Sequence, residues 1–354
     1  MTIDITEDLI LQSLKSIIDP MSKQDIVSEG MVTGIHISGA KVQFTLEIHP
    51  NMPADKRGAL ERSSETVVGA IDGVNSVSVI MTAEKTKLVK GVSEVKHIIA
   101  VFSGKGGVGK STTSTNLALA MRRLGLKIGI MDADVFGPSQ PRMLGIKDKP
   151  DVSNSSVLPP LEGYGIKAMS IGFLVDEDKP VVWRGPMVMG AIKQLLEDVS
   201  WGELDVLVVD MPPGTGDAQL TLAQTVPLSG TVIVSTPQDI ALIDARKGIK
   251  MFEKVNVPIL GILENMSTFV CPNCEHESHI FGHDGARQEA EKLGVDFLGD
   301  IPLHIDIRTT SDEGLPIVVT KPESASAKAY MKLAQKVIDS LEKTSPQTPN
   351  IRIS

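Results

Sequence analysis

Gly104-Lys105-Gly106-Gly107-Val108-Gly109-Lys110-Ser111 fits the phosphate-binding pattern GxxxxGK[ST], with an extra lysine directly after its first glycine. The apolar run Ile98-Ile99-Ala100-Val101-Phe102 precedes it and reads as a buried strand; Thr112 to Leu124 follows and reads as a helix. Strand, glycine-rich loop and helix in that order are what a P-loop requires. The glycines let backbone N–H groups converge on phosphate, and the helix N-terminus adds partial positive charge. On this reading Gly104, Gly106, Gly107, Val108, Gly109 and Thr112 build the cradle. Lys110 reaches the β- and γ-phosphates, and the Ser111 hydroxyl binds Mg²⁺. The bland alternative is a glycine-rich turn without a ligand, and the complete pattern in its proper context speaks against it.

Working outward, the segments after Ile98 repeat the same alternation. Strands are expected at Ile98–Phe102, Lys127–Met131, Lys167–Ile171, Val206–Val209, Thr231–Ser235, Ile259–Glu264 and Asp296–Gly299, separated by helical segments and closed by a helix over Ala325–Lys343. Near-continuous apolar strands suit a parallel sheet buried on both faces. The expected class is α/β, a P-loop NTPase with a mostly parallel sheet flanked by helices, spanning residues 97–343.

Residues 1–83 read as a separate small α+β unit. Ile10, Leu11, Leu14, Ile17 and Ile18 recur at helical spacing before Pro20. Met31–Ile37 and Val42–Ile48 read as strands around a turn at Ser38-Gly39-Ala40, Ala54–Ile71 as a helix, and Val74–Met81 as a third strand. Residues 84–96, rich in Lys and Glu, read as a linker, and 344–354 as a disordered tail.

With 354 residues the chain accommodates two domains, and 42% hydrophobic against 22% charged residues is ordinary for a soluble fold. A net charge of −9 argues against general nucleic-acid binding. No apolar run reaches membrane-spanning length, and the acidic start lacks the basic-then-apolar order of a signal peptide. A cytoplasmic protein without membrane or nucleic-acid partners is expected.

Carboxylates mark two strand ends. Met131-Asp132-Ala133-Asp134 ends the second strand of the large unit, where such sheets bind ligands. Asp134 is expected to orient an attacking water and Asp132 to help hold the metal shell; capping of the following turn is the alternative for both. Leu204–Asp210 is an apolar strand ending in a carboxylate, a Walker B pattern, so Asp210 is expected to hold Mg²⁺ through water. It runs into Met211-Pro212-Pro213-Gly214-Thr215-Gly216-Asp217, a shaped loop suited to sensing the γ-phosphate.

The chain has two cysteines, Cys271 and Cys274, in Cys271-Pro272-Asn273-Cys274. That count excludes a disulfide framework, and the spacing suits a soft metal or a cluster. A dithiol switch, a zinc site completed by His276, His279 or His283, and two unpaired surface thiols are the alternatives. A four-thiolate cluster would be half-ligated by one chain and completed by a symmetric homodimer.

The lysine after Gly104 resembles the deviant Walker A of the MinD/ParA/nitrogenase-iron-protein group. The motifs GKGGVGKST, MDADVFGPS, VVWRGP, DVLVVDMPPGTGD, STPQDIAL, ENMS and CPNC, in this order, resemble the Mrp/ApbC family of iron–sulfur cluster carrier P-loop ATPases. The first 83 residues resemble the small iron–sulfur-assembly domain often fused ahead of it. The resemblance implies slow ATP hydrolysis and a homodimer that holds a labile [4Fe–4S] cluster between paired CxxC motifs for delivery to apo-proteins. By it, Lys105 acts across the dimer, Cys271 and Cys274 hold the cluster, and Asn265 of Glu264-Asn265-Met266 recognises the adenine edge; a turn-forming asparagine is the alternative. Members of the small domain often place a cysteine after their second strand. Here that stretch reads His49-Pro50-Asn51-Met52-Pro53, so partner docking or modulation of the ATPase is expected of residues 1–83 rather than metal binding. Trp183-Arg184-Gly185-Pro186 is expected to serve loop packing. A MinD/ParA-like positioning ATPase is the main rival, disfavoured by CPNC and by the lack of a basic amphipathic C-terminal helix. A zinc-stabilised scaffold is the second rival.

Overall fold

The computed structural model describes residues 5–21, 23–48, 52–83, 90–151, 157–174, 185–271, 273–274 and 276–344. Residues 345–354 of the expected tail and the residues Trp183 and Arg184 lie outside them, as do residues 84–89 of the expected linker; Thr344 is the last residue of the closing helix. The chain divides into two compact units between residues 88 and 89.

The first unit contains α1 (Glu7–Leu14), β1 (Val32–Ser38), β2 (Lys41–Ile48), α2 (Ala54–Gly69) and β3 (Ser76–Ala83). β1 and β2 form an antiparallel hairpin that turns at Gly39, whose φ of 61° is the conformation glycine adopts without cost. β2 then pairs with β3 in parallel, and α2 makes the crossover. Along β2, Val42, Phe44, Leu46 and Ile48 are buried while Lys41 and Gln43 face solvent, the alternation of a sheet covered on one face. Ile10, Leu14, Leu60 and Val68 close this core. The first helix is shorter than its apolar spacing suggests. It starts at the Thr6 cap and ends at Leu14, because the residues before Pro20 turn back into a bridge between Ile18 and Asp25. Ile17 still reaches the core, whereas Ile18 is exposed.

The second unit contains β4 (Val95–Phe102), α3 (Lys110–Arg123), β5 (Ile128–Asp132), α4 (Gln140–Met143), β6 (Leu161–Gly163), β7 (Ile166–Ser170), α5 (Gly185–Glu197), β8 (Leu204–Asp210) and α6 (Asp217–Thr225). It continues with β9 (Gly230–Ser235), α7 (Asp239–Lys254), β10 (Ile259–Val270), β11 (Glu277–Ser278), α8 (Gly285–Leu293), β12 (Phe297–Leu303), α9 (Ile305–Asp312), α10 (Ile317–Thr320) and α11 (Ala325–Thr344). Its nine-stranded sheet runs β11-β10-β9-β4-β8-β5-β7-β6, with β12 paired to β10. All pairings are parallel except β6 with β7 and β10 with β11. β5 and β9 are buried at every residue, as strands with helices on both faces must be.

Because β4 lies between β8 and β9, the loops after β4, β5 and β8 open at the same end of the sheet. β4 begins at Val95, so the last two residues of the expected linker belong to the sheet. Val92 is already part of the second unit's core. Removal of residues 1–90 should therefore leave a folded, nucleotide-binding protein. Circular dichroism and ATP binding on that fragment check this; an insoluble or nucleotide-blind product would mean that the units fold as one.

Candidate functional site

The P-loop joins β4 to α3. Gly107 and Gly109 have φ of 82° and 84°, a region most side chains avoid. Two of its glycines are also required by space. A Cβ on Gly104 would lie 2.4 Å from the Asp244 carbonyl of α7, and one on Gly109 would lie 2.1 Å from Asn265 Nδ2. Gly109 caps α3 without a side-chain bond, so the first-turn N–H groups of that helix are presented to the loop.

Lys110 is buried, and its Nζ lies 2.6 Å from Asp210 Oδ1 and 3.1 Å from Ser111 Oγ. An ammonium has three donors, so one remains for a phosphate oxygen while the other two fix its position. Asp210 is fully buried and collects more donors: Ser114 Oγ at 2.8 Å and Gln140 Nε2 at 3.0 Å. Gln140 also donates to the Ser111 carbonyl at 3.3 Å and accepts from Thr115 Oγ1 at 2.7 Å. It thus ties the loop after β5 to both α3 and β8. The Ser111 hydroxyl and the Asp210 carboxylate are hard oxygen donors of the kind Mg²⁺ takes, and they share the Lys110 ammonium as a neighbour.

The β5–β8 register sets Asp132 directly opposite Asp210. The Asp132 carboxylate accepts from the backbone N–H of Asp134, Ser139 and Gln140 and from Ser170 Oγ. Those bonds are the turn-holding role that stood as its alternative. Burial, followed by the Asp210 charge, pushes the Asp132 carboxyl up to about 7. Asp134 lies one turn on, half-buried. Desolvation raises its pKa and the Lys110 charge opposes the rise. The loop after β8 is shaped as its prolines and glycines suggest. Gly214 N donates to the Ser103 carbonyl at 3.0 Å, and Gln219 braces the turn through the Pro213 carbonyl and Gly216 N. Lys105 is exposed, and its carbonyl accepts from Ser103 Oγ.

β10 departs most from the expected boundaries. It continues past Glu264 to Val270. Asn265 lies within it, buried, and its Nδ2 donates to the Val108 carbonyl of the P-loop at 2.8 Å. Met266 has φ of 57°, and the pairing with β12 slips between Asn265 and Phe269. Beyond this irregularity β10 resumes, and Phe269 and Val270 pair with Ser278 and Glu277 of β11. The strand therefore braces the P-loop at one point and ends in a hairpin that carries both cysteines. Glu264 beside it accepts the Ala286 N–H at 2.7 Å and so holds the start of α8.

Cys271 is half-buried and Cys274 exposed, both as free thiols. The Cys271 N–H closes the hairpin on the His276 carbonyl at 3.0 Å. The backbone N–H groups of Asn273 and Cys274, and then the Cys274 thiol, hold the Cys271 thiol below its usual range. This favours the thiolate, which is the ligating form. Pro272 lies outside the described residues. Among the described residues no three His, Cys, Asp or Glu side chains converge into a metal centre. The His279 and His283 rings meet at a tilt of 47° with centroids 4.1 Å apart.

Of the side chains gathered on Asp210, a sequence motif leads to Lys110 but not to Gln140 or Ser114. Neither carries a characteristic spacing, and only the fold brings them to Asp210.

A family model described as NUBPL iron-transfer P-loop NTPase matches residues 94–338, and one described as iron–sulfur cluster assembly protein matches residues 7–79. The chain is 56% identical over 265 residues to the iron–sulfur cluster transfer protein NUBPL of Mus musculus, covering 74% of this chain and 82% of that one. It is 45% identical over 344 residues to the iron–sulfur cluster carrier protein of Synechocystis, covering 94% and 97%. Among solved structures, a nucleotide-binding protein from Archaeoglobus fulgidus in complex with ADP matches at 41% identity and a TM-score of 0.59, covering 67% of this chain and 93% of that one. The cell division ATPase MinD of Pyrococcus furiosus, 24% identical with a TM-score of 0.53, shares the fold over 69% of this chain and 99% of its own. No helix among the described residues is long and apolar enough to cross a membrane.

Proposed function

The chain belongs to the NUBPL iron-transfer P-loop NTPase family and is a P-loop ATPase, and from that premise we propose that it carries a [4Fe–4S] cluster between two copies of itself and delivers it to apo-proteins. The observation that carries this reading is β10, which braces the P-loop through Asn265 and ends in the cysteine hairpin. A positioning ATPase has no use for that hairpin. Two thiols per chain supply half of a four-thiolate set, so the cargo bridges two chains.

Exposed apolar residues near the nucleotide site support pairing. Phe136 follows Asp134 and is 67% exposed, while Ile240 and Ile243 at the start of α7 are 64% and 43% exposed. That end of α7 is bracketed by the P-loop, through Gly104 against Asp244, and by the segment after the hairpin, through Gly285 against Pro237. Clustered exposed isoleucines of this kind mark an association surface.

In the catalytic role Lys110 neutralises β/γ-phosphate charge, Ser111 and Asp210 hold Mg²⁺, and Asp134 orients the attacking water. Mg²⁺ held there would offset the charge on the phosphates. Asn265 fixes the P-loop through the Val108 carbonyl, and recognition of the adenine edge is the further role proposed for it. Hydrolysis is slow, because nucleotide works as a switch on the loops around residues 211–216 rather than as fuel for continuous chemistry. Lys105, exposed, reaches the partner's phosphates. Lys105→Ala should therefore lower kcat for ATP about tenfold or more at nearly unchanged KM. Unchanged turnover at saturating ATP would remove the cross-dimer role.

Anaerobic reconstitution tests the carrier reading. The protein should show iron–sulfur charge-transfer absorbance with about four iron atoms per dimer. Stoichiometric zinc on a monomer would overturn it.

A further inference from the structure

A groove of about 740 Å³ runs beside the cysteine hairpin. Its floor is the edge of the sheet. Residues 297–300 of β12 line it consecutively, from both faces of the strand, as happens only where a strand is approached edge-on. β12 pairs with β10 alone among the described residues, so its outer edge has no strand against it. One wall is α11, which presents Lys328, Lys332 and Lys336, three exposed lysines one turn apart. Lys336 Nζ already donates to the Phe297 carbonyl on that edge, at 3.1 Å. Opposite, the Arg287 guanidinium is held 4.3 Å above the Phe297 ring. Val270 and Glu277, a facing pair in the cysteine hairpin, line one end.

The charge here runs against that of the whole protein. The chain carries −9 overall, whereas four cations line the groove against the two carboxylates of Glu277 and Asp300; Arg287 also meets Asp284 at 3.1 Å and Lys328 meets Glu323 at 3.3 Å, which leaves Lys332 and Lys336 without a carboxylate partner among the described residues. Asp300 is itself engaged by Ser267 Oγ at 3.2 Å. Exposed strand edges attract added strands, and proteins commonly blunt them with lysine. A row of lysines beside such an edge repels most segments and admits one chemistry: an extended backbone with acidic side chains. The backbone would extend the sheet while the acids meet Lys328, Lys332 and Arg287.

We propose that this groove docks an extended acidic segment of the protein that receives the cluster. The inference rests on the carrier reading and adds the class of partner and its place. A segment added to β12 lies beside the hairpin, so docking sets a recipient's own cysteines near Cys271 and Cys274.

The test uses a fluorescein-labelled peptide of alternating aspartate and valine, its lysine–valine counterpart, and the full-length dimer. The acidic peptide should bind by anisotropy, and the basic one should not. Its affinity should fall at least about tenfold in Lys328→Glu/Lys332→Glu and fall with added salt. Backbone amides of β12 should exchange more slowly with peptide bound. Equal binding to wild type and double variant, protection elsewhere than β12, or no binding would overturn the proposal. So would peptide that alters only the self-association of the chain in sedimentation, which would assign the edge to a second copy. Iron content and ATP turnover, read on the same samples, should match between wild type and variant. Wild-type protein that retains no iron overturns the carrier reading, whereas intact iron with unaltered peptide binding in the variant overturns the groove alone.

Discussion

Lys110→Ala should reduce ATP hydrolysis by about 10²–10³-fold, the scale of losing one preorganised charge-stabilising donor. The side chain is buried, fixed by Asp210 Oδ1 and Ser111 Oγ, and has one remaining donor for phosphate. No neighbouring cation among the described residues stands within ion-pair distance of Asp210 to replace it. Removing one member of a buried ion pair costs about 3–5 kcal/mol when the other is left unpartnered. Asp210 retains Ser114 and Gln140, so the fold should survive with a lowered melting temperature. Steady-state kinetics beside circular dichroism separate the two effects. Near-normal hydrolysis by folded variant would sink the assignment of this loop.

Cys271→Ala or Cys274→Ala should abolish cluster binding and leave ATP affinity within about twofold of wild type. One cysteine lost from each chain leaves two thiolates for the whole dimer, too few for four irons. The hairpin is closed by backbone bonds at Phe269–Ser278, Val270–Glu277 and Cys271–His276, none of which needs a thiol. Absorbance after reconstitution and nucleotide titration of the same sample measure both quantities. A cluster retained by the double variant would refute the carrier reading in favour of another ligand set.

How far these sites were legible in the sequence follows from how local their physics is. The P-loop and the Walker B strand announce themselves because a phosphate cradle needs glycines at fixed spacing, and a buried strand needs an unbroken apolar run. The parallel sheet followed from those runs. β10 runs past its apolar stretch, since Asn265-Met266-Ser267-Thr268 breaks the apolar pattern at the point where the strand meets the P-loop. Its pairing with β12 and β11 restores it, and such pairing is invisible locally. The roles of Gln140 and Ser114 are illegible locally for the same reason. Each is an ordinary polar residue until the fold sets it against Asp210. Asp132 stands at a strand end, where a metal carboxylate and a turn-capping one look alike in sequence, and the four donors turned toward it come from residues that no local pattern groups together.

The path along β10 sets a rule of arithmetic. Asn265 fits against the P-loop, Met266 takes the left-handed kink, and the strand then counts alternate faces up to Cys271. Strand side chains have a period of two. One residue inserted or deleted between Met266 and Cys271 would leave ENMS and CPNC intact as motifs, yet turn every following side chain to the opposite face. Two residues would restore the faces and shift the cysteines by about 7 Å. The parity of this spacer, more than its composition, is what fixes the direction in which the cysteine hairpin leaves the P-loop.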